Sequence, residues 1–278
     1  MPRPSVPTRI TDLSDPRIAP YQQMSDGRLM AQSGLFVAEG RLVVERVLQD
    51  ARYLVESVLV SPTALTALAP TLDSTDRHLN VFEIPANAFE RVTGHHIHRG
   101  CLALVRRPPQ PNWQSVVQGA DTLLVLEAVA DADNVGSLFR SARALGVGGI
   151  LLSPGCCDPL YRKAIRTSMG AVLSMPWAVV EPWPDCLAAL RGAGVVLAAL
   201  TPSAHALDLA TFVTTTRDAR VAWLLGTEGA GLGAAALAAA DARVRIPMTS
   251  GVDSLNVAVA AAVALSRRLE VTANAPRR

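Results

Sequence analysis

Two glycine-bearing loops near the C-terminus hold the residues best placed to do chemistry. Gly226-Thr227-Glu228-Gly229-Ala230-Gly231-Leu232 breaks the apolar run 221–225, and Ser254-Leu255-Asn256 ends a polar loop that follows Val244-Arg245-Ile246-Pro247-Met248. Each loop therefore stands at the end of a buried strand. In open parallel sheets, ligands bind outside the carboxyl ends of the strands. A cofactor site is expected here. Gly229-Ala230-Gly231-Leu232-Gly233-Ala234 fits the dinucleotide pattern G-x-G-x-x-A, after a strand and before a helix. Against that reading, no acidic residue ends the next strand, and the pattern lies late in the chain, whereas a dinucleotide fold normally starts with it.

Two other clusters could carry chemistry. His95, His98 and Cys101 could supply three metal ligands, but no fourth stands at finger-like spacing, so no metal is expected. A turn before a strand, or RNA contact by the histidines and Arg99, explains the same residues. Arg162, Lys163 and Arg166 recur at helical spacing within 159–168 and form the densest basic patch. It is either a solvated helix face or a set of phosphate contacts. The adjacent Cys156 and Cys157 are expected to be packed rather than reactive.

The elements that must position these groups alternate between strand and helix. The chain has 278 residues, 50% hydrophobic and 18% charged, enough for two domains with sizeable cores. Residues 1–14 read as a loose lead-in and 15–32 as a helix. Strands are expected at 35–38, 53–60, 78–84 and 101–105, with helices at 39–50, 62–68 and 86–92 between them. Alternation of this kind argues an α/β domain over 1–106. The proline-rich stretch from Arg107 breaks all periodicity, so 107–120 reads as a linker.

Beyond it, a buried strand at 122–128 leads into a helix at 135–145, with Asp133 or Asn134 as N-cap. Strands at 150–153, 195–200 and 221–225, a helix at 184–190 and a long apolar helix at 255–269 complete an open parallel sheet over 121–278. That last helix is apolar on more than one face, which suggests a second partner. The net charge is +2, too small to announce a nucleic-acid binder by itself. Lys163 is the only lysine. No apolar run is long enough to span a bilayer, and residues 1–18 carry no apolar signal core. A cytoplasmic, reduced setting is expected.

Three segments taken together resemble one family. Asp131-Ala132-Asp133-Asn134-Val135-Gly136-Ser137-Leu138-Phe139-Arg140, the GTEGAGL loop at 226–232 and the IPMTSGVDSLNVAVA segment at 246–260 are similar to the motifs of SpoU-type RNA 2′-O-ribose methyltransferases of the SPOUT superfamily. Ser168-Met169-Gly170-Ala171 resembles a further family segment. Phe36-Val37-Ala38-Glu39-Gly40-Arg41 is similar to the opening of the ribosomal-protein-L30-like substrate-binding domain many members carry.

The resemblance implies an open parallel-sheet SPOUT domain with a C-terminal trefoil knot, preceded by a smaller L30-like α/β domain. It also implies a homodimer, S-adenosylmethionine as methyl donor, and rRNA or tRNA as substrate. Donor-binding positions would be Gly226, Gly231, Ile246 and Leu255, with Leu200 and Met248 as apolar walls; bare glycines let the backbone approach a flat base. Asn134, Arg140, Glu228, Ser254 and Asn256 would be catalytic. The family assigns the leading role to Arg140, but a guanidinium hardly deprotonates. Arg140 is better read as a fork for a phosphate and the developing oxyanion, with Glu228 as proton acceptor or as the group that orients Arg140. Ser254 could equally be the N-cap of the last helix. Arg99, Arg143, Arg162, Lys163 and Arg166 would meet RNA. The rival readings are a non-catalytic RNA-binding module of the same fold and, more distantly, the dinucleotide enzyme.

Overall fold

A computed structural model of the chain describes residues 7–22, 27–75, 79–94 and 100–273. They form two compact units, Met1–Pro109 with Leu160–Leu173, and Gln110–Pro159 with Ser174–Arg278. Among the described residues, no helix is long and apolar enough to cross a membrane.

The first unit is a five-stranded mixed sheet of β1 (Thr8–Arg9), β2 (Leu35–Glu39), β3 (Val55–Val60), β4 (Asn80–Glu83) and β5 (Cys101–Arg106), in the order β1-β4-β3-β5-β2. Its core joins Ile18, Tyr21, Leu59, Phe82, Phe89 and Leu102. Part of the stretch read as a loose lead-in is therefore structural. Thr8–Arg9 pairs with Phe82 and Glu83, and Ile10 behind it is buried. A two-residue strand has too few residues to show alternation, so periodicity could not reveal it. The helix expected at 15–32 is instead a 3-10 turn, Pro16–Ile18, and two short helices, Ala19–Gln22 and Gly27–Gln32. Helix Pro62–Asp73 runs past the expected end at 68 and through Pro70. Ser61 caps it, accepting from the Ala64 N–H, and Pro62 sits where its missing N–H costs nothing. Burial of Leu68 and Leu72 outweighs the one bond Pro70 forfeits.

The second unit is a seven-stranded sheet of β6 (Thr122–Glu127), β7 (Gly149–Leu152), β8 (Trp177–Val179), β9 (Val195–Leu200), β10 (Leu207–Asp208), β11 (Arg220–Gly226) and β12 (Ala242–Arg245). The order is β10-β12-β9-β11-β6-β7-β8, and every pairing is parallel. The central strands are buried on both faces, which is why 122–126 and 221–225 read as unbroken apolar runs. The chain leaves β8 at one edge, crosses to β9, and returns with β11 to fill the place between β9 and β6.

Sequence reading missed β8, β10 and helix Leu209–Thr215, all short or flanked by proline and threonine. Within the expected linker, Trp113–Val117 is a helix, and Val116 and Val117 enter the core of this unit. The helix expected at 135–145 starts earlier, at Ala132, because Asp131 rather than Asp133 or Asn134 is its cap: the Asp131 carboxylate accepts the Asn134 N–H at 2.9 Å. The last helix is Val257–Ala273.

Candidate active site

The carboxyl ends of β9, β11 and β12 surround a cavity of about 470 Å³. Leu200, Thr201 and Pro202 come from the first, Leu225 to Gly229 and Gly231 from the second, and Ile246 and Met248 from beyond the third; the segment 254–257 closes it. All six residues expected to hold the donor (Leu200, Gly226, Gly231, Ile246, Met248 and Leu255) line this cavity, as do Glu228, Ser254 and Asn256.

The glycine loop folds back on itself. Thr227 and Gly231 face each other in a small antiparallel bridge, the Gly231 N–H donates to the Thr227 carbonyl at 3.0 Å, and Gly229 and Gly231 take positive φ. The returning chain crosses directly over Gly226. A Cβ there would lie 2.1 Å from the Gly231 carbonyl carbon and 2.3 Å from the Leu232 nitrogen. Gly226 must therefore be bare because the loop itself needs the space. Sequence reasoning attributed the need for a glycine here to the ligand alone, and missed the demand of the loop's own return.

Three polar side chains from distant parts of the chain meet at the cavity rim. The Asn134 amide donates to Glu228 Oε1 at 3.0 Å. The Asn256 amide donates to the same oxygen at 2.6 Å and to Asn134 Oδ1 at 2.8 Å. Asn256 Oδ1 in turn accepts the N–H groups of Ala258 and Val259, at 3.0 and 3.3 Å. Asn256, and not Ser254, thus caps the last helix, and the same residue fixes Glu228. Charge-assisted bonds to one carboxylate oxygen hold the other, Oε2, in a defined direction while no described residue donates to it.

Arg140 is exposed, makes no hydrogen bond or ion pair with Glu228, and does not line the cavity. It stands six residues beyond Asn134, which turns it to another face of helix Ala132–Ala144. So within one chain Glu228 orients itself on two asparagines and not on Arg140. A second concavity runs along this helix and the last one, lined by Ser137, Ser141, Val259, Val263 and Ser266. Val259 and Val263 are exposed on it, and Asn256 belongs to both this groove and the cavity.

The cations expected at RNA divide. Arg143 is exposed on helix Ala132–Ala144. Arg162 is not a solvated face residue: it pairs with the buried Glu39 at 2.6 Å, with only 12% of its side chain exposed. Arg166, half-exposed, stands 3.8 Å from the same carboxylate. Lys163 lies on the same short helix, Arg162–Thr167. This helix is shorter than the 159–168 expected and belongs to the first unit. Arg99 and the histidines at 95–98 lie outside the described residues. Cys101 is fully buried in β5, and burial pushes its thiol up to about 12. Cys156 and Cys157 are half-buried and in no disulfide, with the Cys156 thiol bonded to the Leu126 carbonyl.

Fold and cavity together define an α/β protein that holds a small organic cofactor at the carboxyl ends of parallel strands. The SpoU rRNA Methylase family profile matches residues 121–266. A Mycobacterium tuberculosis protein named as an uncharacterized tRNA/rRNA methyltransferase is 41% identical over 263 residues, covering 93% of this chain and 90% of that one. The chain belongs to the SpoU rRNA methylase family. Among solved structures, an RNA 2′-O ribose methyltransferase is 30% identical, with a TM-score of 0.77 over 95% of this chain and 99% of that one. The SpoU methyltransferase AviRb of Streptomyces viridochromogenes, solved with its cofactor AdoMet, is 26% identical, with a TM-score of 0.77 over 92% and 98%.

Proposed function

We propose that this chain is an S-adenosylmethionine-dependent RNA methyltransferase that modifies a ribose 2′-hydroxyl of rRNA or tRNA, with rRNA preferred. The observation that carries the reading is the Asn134–Glu228–Asn256 cluster at the rim of the cavity. Family membership supports the donor. So does the cavity, which combines bare backbone at Gly226 and Gly231 with apolar walls at Leu200, Ile246 and Met248, suited to an adenine and a methionine chain. When bound, S-adenosylmethionine supplies an electrophilic methyl group on a sulfonium.

The chain's own residues would do the rest. Oε1 of Glu228 is occupied by two amides, so Oε2 is the group that takes the ribose proton, directly or through one water. Asn134 and Asn256 keep it aimed. Ser254, on the cavity wall, is within the same segment and offers a hydroxyl to the acceptor ribose. Arg140 is the cationic fork that steadies a phosphate and the developing oxyanion. Because it does not reach Glu228 in its own chain, the site is completed in a homodimer formed through the groove between the last helix and helix Ala132–Ala144. The reading further includes a knotted C-terminal segment, RNA binding by an L30-like first unit with help from Arg99, Arg143, Lys163 and Arg166, and work in the cytoplasm. Arg162, held by Glu39, serves the first unit's packing more than phosphate contact.

The test is transfer of a labelled methyl from S-adenosylmethionine to RNA of a knockout strain, followed by alkaline hydrolysis. A 2′-O-methyl mark resists hydrolysis, because no free hydroxyl remains to attack the phosphate. Label that appears on bases, or no label with wild-type protein that binds the donor, would overturn the assignment; the latter would favour the RNA-binding module.

A further inference from the structure

The glycine loop has a second anchor that lines neither the cavity nor the rim. Glu127 ends β6 directly beside Gly226, its register partner on β11. Its Oε2 accepts the Gly233 N–H at 2.7 Å, and its Oε1 accepts the Trp183 indole N–H at 2.8 Å. Gly233 is where the returning arm of the loop ends and helix Ala234–Ala239 begins. Glycine suits that place, since a Cβ would stand 3.1 Å from the Glu127 carboxylate. Trp183 lies in the 181–184 segment and packs against the core of the same unit, as does Leu232.

We propose that Glu127 is a positioning residue for the methyl-donor site: its carboxylate clamps the returning arm of the glycine loop to β6 and to Trp183. The loop's return is what presses Gly231 over Gly226 and so shapes one wall of the cavity. Helix packing alone fixes it weakly, because Ala234–Ala239 buries only Ala236. A carboxylate that accepts two N–H donors through its two oxygens is directional, and each charge-assisted bond is stronger than a neutral one. A glutamine would keep one acceptor oxygen but turn an NH₂ toward the second donor, so one of the two tethers is lost. The inference rests on the donor site described above and adds to it a residue that acts through the loop.

The experiment is calorimetric titration of full-length protein with S-adenosylmethionine, for wild type, Glu127→Gln and Trp183→Phe, together with amide hydrogen exchange at Gly233. Glu127→Gln is expected to weaken donor affinity about ten- to a hundred-fold, in the range of one lost charge-assisted bond, and to speed exchange at Gly233. Trp183→Phe, which frees Oε1 but leaves the Gly233 bond, is expected to lose about two- to five-fold, and the double variant no more than Glu127→Gln alone. RNA affinity should be unchanged in all three. A carboxylate needed only for stability would lower the melting temperature and leave affinity below it untouched; that result overturns the proposal. So does Gly233 exchange at the wild-type rate. If wild type itself binds no donor, the cofactor reading falls and takes this inference with it. Should Glu127→Gln fail to fold, Trp183→Phe decides: unchanged affinity and exchange refute the clamp.

Discussion

Replacing Asn256 separates its two jobs, because different atoms perform them. Its Oδ1 caps the last helix and its amide nitrogen holds Glu228 and Asn134. Asn256→Ala removes both. Loss of the cap costs about 1 kcal/mol. A hydrogen bond to a charged group is worth about 1.5–3 kcal/mol when buried, but Glu228 is exposed, so water replaces much of it and about 1 kcal/mol is the better figure. A total near 2 kcal/mol lowers the melting temperature by about 4–8 °C for a unit of this size. Asn256→Asp keeps the cap, and a carboxylate is favoured at a helix N-terminus by about 0.5 kcal/mol. It also sets a second carboxylate where an amide now donates to Glu228 at 2.6 Å. Between exposed unit charges about 4 Å apart, that repulsion is about 1 kcal/mol. Losing the amide's bond to Glu228 costs about 1 kcal/mol here as well, so the net loss is about 1.5 kcal/mol and the melting temperature should fall by about 3–6 °C.

Activity should not follow stability in that variant. The repulsion turns Glu228 away from its aim, and single-turnover methylation should fall about a hundred-fold, as for loss of a positioned acid–base group. Like charges raise the folded-state titration of the new pair above its unfolded value. The Asp variant should therefore lose stability as pH rises through the shifted titration and regain it as pH falls. Lowering the pH should not restore the rate, because a protonated pair accepts no proton. The measurements are thermal unfolding and single-turnover rates over a pH series. A full wild-type rate in Asn256→Asp, or an unchanged melting temperature in Asn256→Ala, would refute the division of labour.

Arg140→Lys should lower the single-turnover rate about ten- to a thousand-fold, and high pH should not rescue it, because deprotonation removes the charge the fork supplies; selective rescue would make Arg140 a base. Gly226→Ala should reduce both melting temperature and donor affinity, since its Cβ meets the loop's own backbone at 2.1 Å; unchanged values in both would contradict that contact. Arg162→Ala should destabilise the first unit by about 2–3 kcal/mol, because Glu39 stays buried with only Arg166 at 3.8 Å as a counter-charge, whereas the Arg162→Met, Glu39→Leu double variant should recover most of it by chemical denaturation. Val259→Glu should give a monomer by light scattering with greatly reduced activity, and a dimer with full activity would exclude the groove as the interface.

The sheet of the second unit was legible because parallel strands are buried on both faces, and continuous apolar runs such as 122–126 are hard to mistake. Short elements were not legible. β1, β8 and β10 are two or three residues long, and their place is fixed by the neighbour they pair with. The helix caps were legible to within a few residues only. Asp131, Asp133 and Asn134 are all capable caps, and so are Ser254 and Asn256; what chooses between them is the tertiary demand for Asn134 and Asn256 at Glu228.

The residues that carry the site also differ in why the sequence exposed them. Leu200, Ile246, Met248 and Leu255 were named through family resemblance, and their convergence on one cavity follows from where three parallel strands end. Arg162 had the same kind of local signal as Arg166, a cation on a short helix. No spacing rule could tell that Glu39, over a hundred residues earlier, would claim one of them. Gly226 is the instructive case. Its position was plain from the break after an apolar run, yet the cause was hidden, because it depends on the chain returning over it between Gly231 and Leu232. A glycine demanded by the loop's own return is demanded whether or not a ligand is bound. The cavity wall is thus built into the fold before any cofactor arrives, so a residue outside the cavity that holds the loop's return, as Glu127 does at Gly233, bears on that wall.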